Sequence, residues 1–118
     1  MRVVVTGASG FVGSDIAHVM RERHGDGAAG RQHVDETGPD AIVHCAILND
    51  WSASHADRHL AWASYVEATR NWADAATAHD VPFCLVSTDW VFDGTQSGAD
   101  ESTPPDPISL YGFLEAAS

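Results

Sequence analysis

The sequence predicts an α/β protein in which helices cover both faces of a small parallel sheet, as a three-layer sandwich in a single domain over residues 1–118. Three short apolar runs, at residues 3–5, 41–45 and 83–87, are rich in the residue types that buried strands favour. Stretches with helical spacing follow the first run and precede the third. Hydrophobic residues make up 44% of the chain, which is enough for one core. Strands that alternate with helices are typical of parallel sheets.

The charge composition excludes several classes of partner. Seventeen acidic residues against six basic ones give a net charge of −11, which disfavours binding to nucleic acid or to an anionic membrane surface. All six basic residues are arginines, and the sequence contains no lysine. No apolar run is long enough to cross a membrane and no leader precedes the first strand, so we expect a cytoplasmic protein. Cys45 and Cys84 lie in strand-like runs, and we expect buried reduced thiols rather than a disulfide or a metal pair.

The first strand leads directly into a glycine-rich turn. Gly7, Gly10 and Gly13 follow the valine run at a spacing of three and open a helical pattern. Glycines at these positions let the pyrophosphate of a dinucleotide approach the backbone N–H groups at a helix N-terminus, where the dipole favours negative charge. A glycine triplet alone is weak evidence for a binding site, and the alternative interpretation is a glycine-rich turn that binds no ligand. The position between a buried strand and a helix favours dinucleotide binding.

The segment after the first helix, residues 21–38, is polar and broken by four glycines, which predicts a loop with one helical turn near residues 31–37. A dinucleotide fold ordinarily places two further strands and a helix here, so we expect an internal deletion. Asp26 and Asp35 lie at about the distance from the glycines at which dinucleotide folds have an acidic residue that binds the adenosine ribose. Without a strand to position them, we expect both carboxylates, like Arg31, to be solvated.

Residues 55–79 predict one long amphipathic helix after the second strand. Its apolar stripe has helical spacing and consists of Leu60, Ala61, Tyr65, Ala68, Trp72, Ala75 and Ala76. His55 and His59 would share a face of this helix, but no third ligand follows, so a solvated face is favoured over a metal site. His44, within the second strand, is expected to be a packed core residue rather than a proton shuttle.

The third strand ends in Ser87 and Thr88, where an open parallel sheet places its active-site groups. A polar, proline-rich loop over residues 94–107 follows. The last distinctive segment of the chain is PISLYGFLE, at residues 107–115.

Four segments resemble the extended short-chain dehydrogenase/reductases. TGASGFVG at residues 6–13 resembles the family's TGxxGxxG turn, and PDAIVHCA at 39–46 its PDxVIHCAA strand. VSTDWVFDG at 86–94 is similar to the STDYVFDG of the dTDP-4-dehydrorhamnose reductase branch, and PISLYGFLE to NPxxxYGxxK. The resemblance covers only the amino-terminal part of the family's fold. It implies a reduced Rossmann-like sandwich, truncated at the C-terminus, without the substrate domain.

The resemblance implies an NAD(P) cofactor and a sugar nucleotide substrate, and no metal. The implied catalytic residues are Thr88, whose hydroxyl binds the substrate carbonyl, and Tyr111, which supplies the proton. The implied cofactor-binding residues are Gly7, Ser9, Gly10, Phe11, Val12, Gly13, Cys45, Ala46 and Ser87.

Four positions depart from the family pattern. Glu115 stands where the family has a lysine, and a carboxylate there would raise the pKa of Tyr111 and repel a phosphorylated cofactor. Tyr65 and Ala68 replace an asparagine and a glycine of the family's NVxGTxN helix, and Ile47 replaces a small alanine and would crowd the ribose. A packed, non-catalytic Tyr111 is equally compatible with the sequence.

We therefore expect residual dinucleotide affinity without catalysis by the isolated chain. One alternative is a non-catalytic dinucleotide-binding or regulatory module, as a homo-oligomer or with a partner that completes the sheet. Another is a truncated gene product without a function of its own. The sequence does not decide between NAD and NADP, nor which sugar is bound.

Overall fold

The computed structural model describes residues 1–24, 34, 36, 38–48 and 50–118. Three strands, β1 (Val3–Thr6), β2 (Ala41–His44) and β3 (Phe83–Leu85), form one parallel sheet in the order β1-β2-β3. The predicted parallel sheet is confirmed. The second and third strands end earlier than the apolar runs suggested, at residues 44 and 85, because the backbone then leaves the sheet towards its carboxyl edge.

The described ranges contain five α-helices, none of which is long and apolar enough to cross a membrane. The helices are α1 (Phe11–His24), α2 (Trp51–Ala56), α3 (Arg58–Trp62), α4 (Ala68–Ala78) and α5 (Leu110–Ala117). A π-helical turn, Ala63–Glu67, joins α3 to α4, and a 3₁₀ turn, Asp89–Val91, follows β3.

The prediction of one continuous helix over residues 55–79 is wrong at its beginning. Asp57 has extended backbone angles, φ −132° and ψ 98°, which end α2, and its carboxylate accepts a hydrogen bond of 2.9 Å from the Leu60 N–H, which begins α3. Aspartate is a favoured N-cap for this reason. His55 and His59 therefore lie on different helices and do not share one helical face. Leu60, expected in the stripe, is 44% exposed.

The main core lies between β1, β2 and α4. Val4, Ile42 and Ala76 are buried in one cluster with Val34, against which Trp72, Val81 and Phe83 pack. Side chains alternate along a strand, so Val5 points to the opposite face, where it is also buried and where α1 packs against β1. Helices on both faces give the predicted sandwich. A second cluster, of Ala61, Tyr65 and Leu114, joins α3 and the π-helical turn to α5.

The prediction that both cysteines are buried is wrong for Cys84, which is exposed, while Cys45 is half-buried. The cause is the strand order. β3 is an edge strand of the described sheet, and Cys84 points away from the face on which Phe83 packs against α4. Both thiols are free.

The expectations for Asp26, Asp35 and Arg31 lie outside the described residues, as does most of the helical turn predicted at residues 31–37. Val34 and Glu36 belong to that segment and have helical backbone geometry.

Helix α5 approaches the 3₁₀ turn so closely that only glycine fits at residue 112. A Cβ atom on Gly112 would collide with the Trp90 carbonyl oxygen and lie 3.0 Å from the Cβ of Pro107. Ser109 caps the helix by accepting a hydrogen bond of 3.0 Å from the Gly112 N–H. This contact fixes the neighbouring residue, Tyr111, over the carboxyl edge of the sheet.

The Gly112→Ala variant tests this contact, because the contact determines whether the free energy of unfolding rises or falls. In an ordinary helix the change stabilises by about 1 kcal/mol, whereas a forced backbone shift costs roughly 1–3 kcal/mol. We expect a net loss of unfolding free energy, measured by urea unfolding at 222 nm. Ala116→Ser on the exposed face of α5 is the control and should change stability by less than about 0.5 kcal/mol. A stabilised Gly112→Ala variant would contradict the contact.

Candidate functional site

The candidate site lies at the carboxyl edge of the sheet, where the segments after all three strands meet. The glycine turn follows β1, Cys45 and Ala46 follow β2, and Ser87 and Thr88 follow β3. Because all strands are parallel, these segments emerge at the same edge. The residues predicted from separate motifs are therefore brought together by the topology.

The glycine turn is packed against the end of β2. Gly7 has φ +69°, and a Cβ atom on it would lie 2.8 Å from the backbone of Ala46. The Gly10 N–H donates to the Gly7 carbonyl over 2.8 Å and α1 begins at the next residue. A Cβ atom on Gly13 would collide with the same carbonyl. Glycine at positions 7 and 13 is thus required by packing.

The outer side of the turn is open. A Cβ atom on Gly10 would meet a single neighbour, the Gly7 carbonyl oxygen at 3.3 Å, and Gly10 is exposed. Ser9 and Val12 are exposed beside it, and Phe11 is 89% exposed. The first N–H groups of a helix have no partner within the helix. The turn therefore offers an open surface at the N-terminus of α1, on which an anion would find hydrogen-bond donors.

Thr6 links the end of β1 to the end of β2, a role that the sequence did not reveal. Its hydroxyl oxygen accepts hydrogen bonds of 3.2 Å from the N–H groups of both Cys45 and Ala46. The hydroxyl is also hydrogen-bonded to Nδ1 of His44 at 2.6 Å.

His44 is a packed core residue, as the sequence predicted. It is 1% exposed and lies between the rings of Trp72 and Phe83, with both centroids at 6.1 Å. Its Nε2 atom is buried and has no hydrogen-bond partner among the described residues, and burial lowers the pKa of the imidazole. Both observations favour the uncharged imidazole over the imidazolium cation, and a structural role for His44.

Helix α5 places Tyr111 at the centre of an aromatic group. The ring centroids of Trp51, Tyr65 and Trp90 lie 6.1, 6.1 and 6.0 Å from that of Tyr111, with interplanar angles of 88°, 71° and 68°. The Tyr65 hydroxyl donates a hydrogen bond of 2.9 Å to the Leu48 carbonyl. Edge-to-face packing of this kind holds each ring in one orientation.

The two residues predicted to be catalytic are neighbours. Thr88 caps the 3₁₀ turn by accepting a hydrogen bond from the Trp90 N–H at 3.3 Å, and its hydroxyl donates to Asp89 Oδ1 at 3.3 Å. It also lies close enough to Tyr111 to lower the pKa of that phenol. Burial raises the pKa of Tyr111, the Glu115 carboxylate raises it further, and the hydrogen bond with Thr88 acts in the opposite direction. None of these contributions comes from a cation.

Glu115 is buried, with 5% of its surface exposed. Burial raises the pKa of its carboxyl group, and the hydrogen bond with Tyr111 opposes this. The pKa of Tyr65 is raised to about 12 by burial, with additional contributions from Tyr111 and Glu115. The sequence correctly anticipated that Glu115 raises the pKa of Tyr111, but burial is the larger cause.

A cleft of about 540 Å³ opens beside these aromatic rings. Ile47, expected to crowd a ribose, is 44% exposed and forms part of its wall. Trp51 and Trp90 also line it, and the sequence patterns singled out neither as a site residue. The available signals were the position of each a few residues after a strand end and, for Trp90, its place at the tyrosine of the STDYVFDG motif. The cleft is lined by Ile47, Leu48, Asp50, Trp51, Tyr65, Trp90 and Tyr111.

The predicted cofactor-binding residues are spread along the sheet edge rather than clustered around this cleft. Gly7, Cys45 and Ala46 are in contact, whereas Ser87 is exposed at the end of β3. Their binding roles remain predictions. Within the described part of the chain, no group of three or more histidine, cysteine, aspartate or glutamate side chains is placed to hold a metal ion.

The comparisons with known proteins agree with one another. The profile of the RmlD substrate binding domain family matches residues 1–116. A dTDP-4-dehydrorhamnose reductase of Streptomyces griseus is 31% identical over 130 residues, covering 98% of this chain and 43% of the relative. Methionine adenosyltransferase 2 subunit beta of Xenopus laevis is 28% identical, covering 94% and 39% respectively.

A solved structure shows the same fold. The dTDP-4-dehydrorhamnose reductase of Bacillus anthracis, in complex with NADP, superposes with a TM-score of 0.85 at 29% identity, over 98% of this chain and 46% of that protein. The chain therefore spans less than half the length of each of these relatives. The Streptomyces alignment is longer than the chain's own 118 residues, so the relative carries extra residues inside the aligned region, in agreement with an internal deletion.

The pH dependence of the stability of Glu115→Gln tests the burial of the Glu115 carboxyl group. Because the folded-state pKa of Glu115 is raised, its contribution to stability is full below its ordinary value of 4.5 and is lost as the pH rises through the folded-state value. Glutamine does not ionise and keeps a hydrogen-bond acceptor for Tyr111. We expect the variant to have a higher Tm than the wild type at pH 8, with the difference shrinking towards pH 4.5. Glu101→Gln, on an exposed loop, is the control, and a difference that grows on acidification would contradict the account.

Proposed function

The chain belongs to the RmlD substrate binding domain family, and we propose that it is a protein of the sugar-nucleotide reductase type that binds NAD(P) and has lost efficient proton transfer. One observation carries this proposal. The parallel sheet brings the glycine turn, Cys45 and Ala46, and the Thr88–Tyr111 pair to a single edge. This arrangement supports the proposal that a dinucleotide and a carbonyl group would lie side by side at this edge.

The open glycine turn supports dinucleotide binding. The pyrophosphate would lie over Gly10, against the N–H groups at the start of α1, with Ser9, Phe11 and Val12 around it. Cys45, Ala46 and Ser87 would border the rest of the cofactor along the strand ends. The Bacillus anthracis relative, whose structure contains NADP, supports this assignment. When bound, the nicotinamide would supply the hydride for carbonyl reduction.

Proton transfer to the substrate is the step that this site supports least. Reduction of a keto group requires a proton at the carbonyl oxygen, and in this proposal Thr88 binds that oxygen and Tyr111 supplies the proton. A general acid works best when its pKa lies near the operating pH. Burial and Glu115 move the pKa of Tyr111 upwards, away from neutrality, and the chain has no lysine to reverse this. We therefore expect cofactor binding with little or no turnover.

A second candidate function is a non-catalytic dinucleotide-binding or regulatory module. The same Glu115 environment that disfavours catalysis is compatible with this role, and one relative is named as the beta subunit of methionine adenosyltransferase 2. In the described sheet, β1 and β3 each have one unpaired edge, to which a second copy or a partner strand would add. Complex formation without turnover would favour this alternative.

Cofactor binding is tested by isothermal titration with NADH and NADPH. We expect measurable heat at millimolar cofactor or below, and a loss of affinity of at least about tenfold in Gly10→Val, because a branched side chain would cover the open turn. Ala116→Val, on the exposed face of α5, is the matched control and should bind as the wild type does. No heat in the wild type, or unchanged binding by Gly10→Val, would refute dinucleotide binding at the turn.

Turnover is tested separately by following NADPH oxidation at 340 nm with a dTDP-4-keto-6-deoxy sugar. We expect no rate above the background. Sustained turnover would show that Glu115 does not impair proton transfer and would leave the binding assignment in place.

A further inference from the structure

The cleft beside Tyr111 is walled by aromatic rings on several sides. Trp51 and Trp90 are 52% and 53% exposed, so about half of each side chain is open to solvent, and both line the cleft together with the two tyrosines. Their rings stand at steep angles to Tyr111, between 68° and 88°. The rings therefore do not form one flat wall, and aromatic side chains from separate parts of the chain line the cleft.

The charged side chain among the described lining residues of the cleft is acidic. Asp50 is part of its wall, and the carboxylates of Asp89 and Glu115 act electrostatically on Tyr111. None of the described lining residues is arginine or histidine, and the sequence contains no lysine. His55, which packs edge-on against Trp51 with centroids 5.4 Å apart, is the described basic side chain that contacts this wall.

Aromatic faces combined with carboxylates select for organic cations. A ring face carries partial negative charge and attracts an ammonium group within about 6 Å, with roughly 0.5–2 kcal/mol per contact depending on desolvation. A phosphate or carboxylate in the same cleft would find no basic side chain among the described lining residues. The cleft is therefore unsuited to the anionic part of a nucleotide.

We propose that this cleft binds a small organic cation, an alkylammonium or amino-substituted ring, with its charged group between Trp51, Trp90 and Tyr111 and close to Asp50. This site is distinct from the glycine turn and does not depend on dinucleotide binding. If the chain acts on a sugar, the same chemistry favours an amino sugar at this position.

A matched ligand pair separates charge from shape. Choline and 3,3-dimethylbutan-1-ol have the same branched outline, and only choline carries a positive charge. We expect choline, titrated without cofactor, to bind at least tenfold more tightly and to shift the indole N–H NMR signals of Trp51 and Trp90. Equal binding of the two would indicate a merely apolar cleft and would overturn the proposal, as would the absence of binding by any cation.

Three variants locate the site. Asp50→Asn removes the charge but keeps the N-cap of α2, because the asparagine oxygen can still accept the hydrogen bond that Ala53 N–H gives at 2.9 Å. We expect it and Trp90→Leu each to weaken choline binding several-fold while the circular dichroism spectrum is unchanged. Trp62→Leu is the matched control, since Trp62 is an exposed tryptophan on α3 that does not line the cleft. A loss of binding in Trp62→Leu equal to that in Trp90→Leu would contradict this location.

The source of the cation is distinguished by a second ligand series. Glucosamine, N-acetylglucosamine and glucose share a ring, and only glucosamine carries an ammonium group. Selective binding of glucosamine supports an amino-sugar ligand, and selective binding of choline alone supports a quaternary ammonium ligand. Both results support the cation site, whereas equal binding of all three sugars would overturn it.

Discussion

The end of β1 packs against the end of β2 because the Thr6 hydroxyl group binds the β2 backbone and because Gly7 has no side chain to keep the two segments apart. The Thr6 hydroxyl accepts hydrogen bonds from two successive N–H groups, those of Cys45 and Ala46, just where β2 leaves the sheet. Gly7 lets the chain turn away without a Cβ atom that would lie 2.8 Å from Ala46. Because α1 and the segment leading to the cleft both start here, this contact sets the relative positions of the glycine turn and the aromatic rings.

The chemistry of the site depends on a second constraint, the burial of Glu115. A carboxyl group taken out of water retains its proton to higher pH, and when ionised it makes ionisation of the nearby tyrosines less favourable. The fold thus combines an open place for an anion, at the start of α1, with a cleft whose charges oppose anions. Under the proposed function, these opposite preferences would allow cofactor binding to persist where catalysis is lost. They are also the basis of the proposed ammonium site.

Most of the framework followed from the sequence because it rests on local patterns. The valine run with its glycine turn predicted the strand and the start of α1, and the alternating strand-like and helix-like segments predicted a parallel sheet with Ser87 and Thr88 at its carboxyl edge. The comparisons confirmed the family. The break at Asp57 was missed because the apolar stripe continues across it, while a single carboxylate decides where α3 begins. The exposure of Cys84 depends on strand order, which no local pattern contains.

The aromatic wall was missed for a related reason. Trp51 and Trp90 are far apart in sequence and meet around Tyr111 only because α5 docks at Gly112. The central claim is that this environment holds Tyr111 in its protonated form beside a buried Glu115. Selective ¹³Cζ-tyrosine labelling, with Tyr111→Phe for assignment, measures its pKa directly by NMR. The account predicts a titration midpoint above the ordinary value of 10, which moves down in Glu115→Gln. A midpoint below 10, or one unaffected by Glu115→Gln, would contradict it.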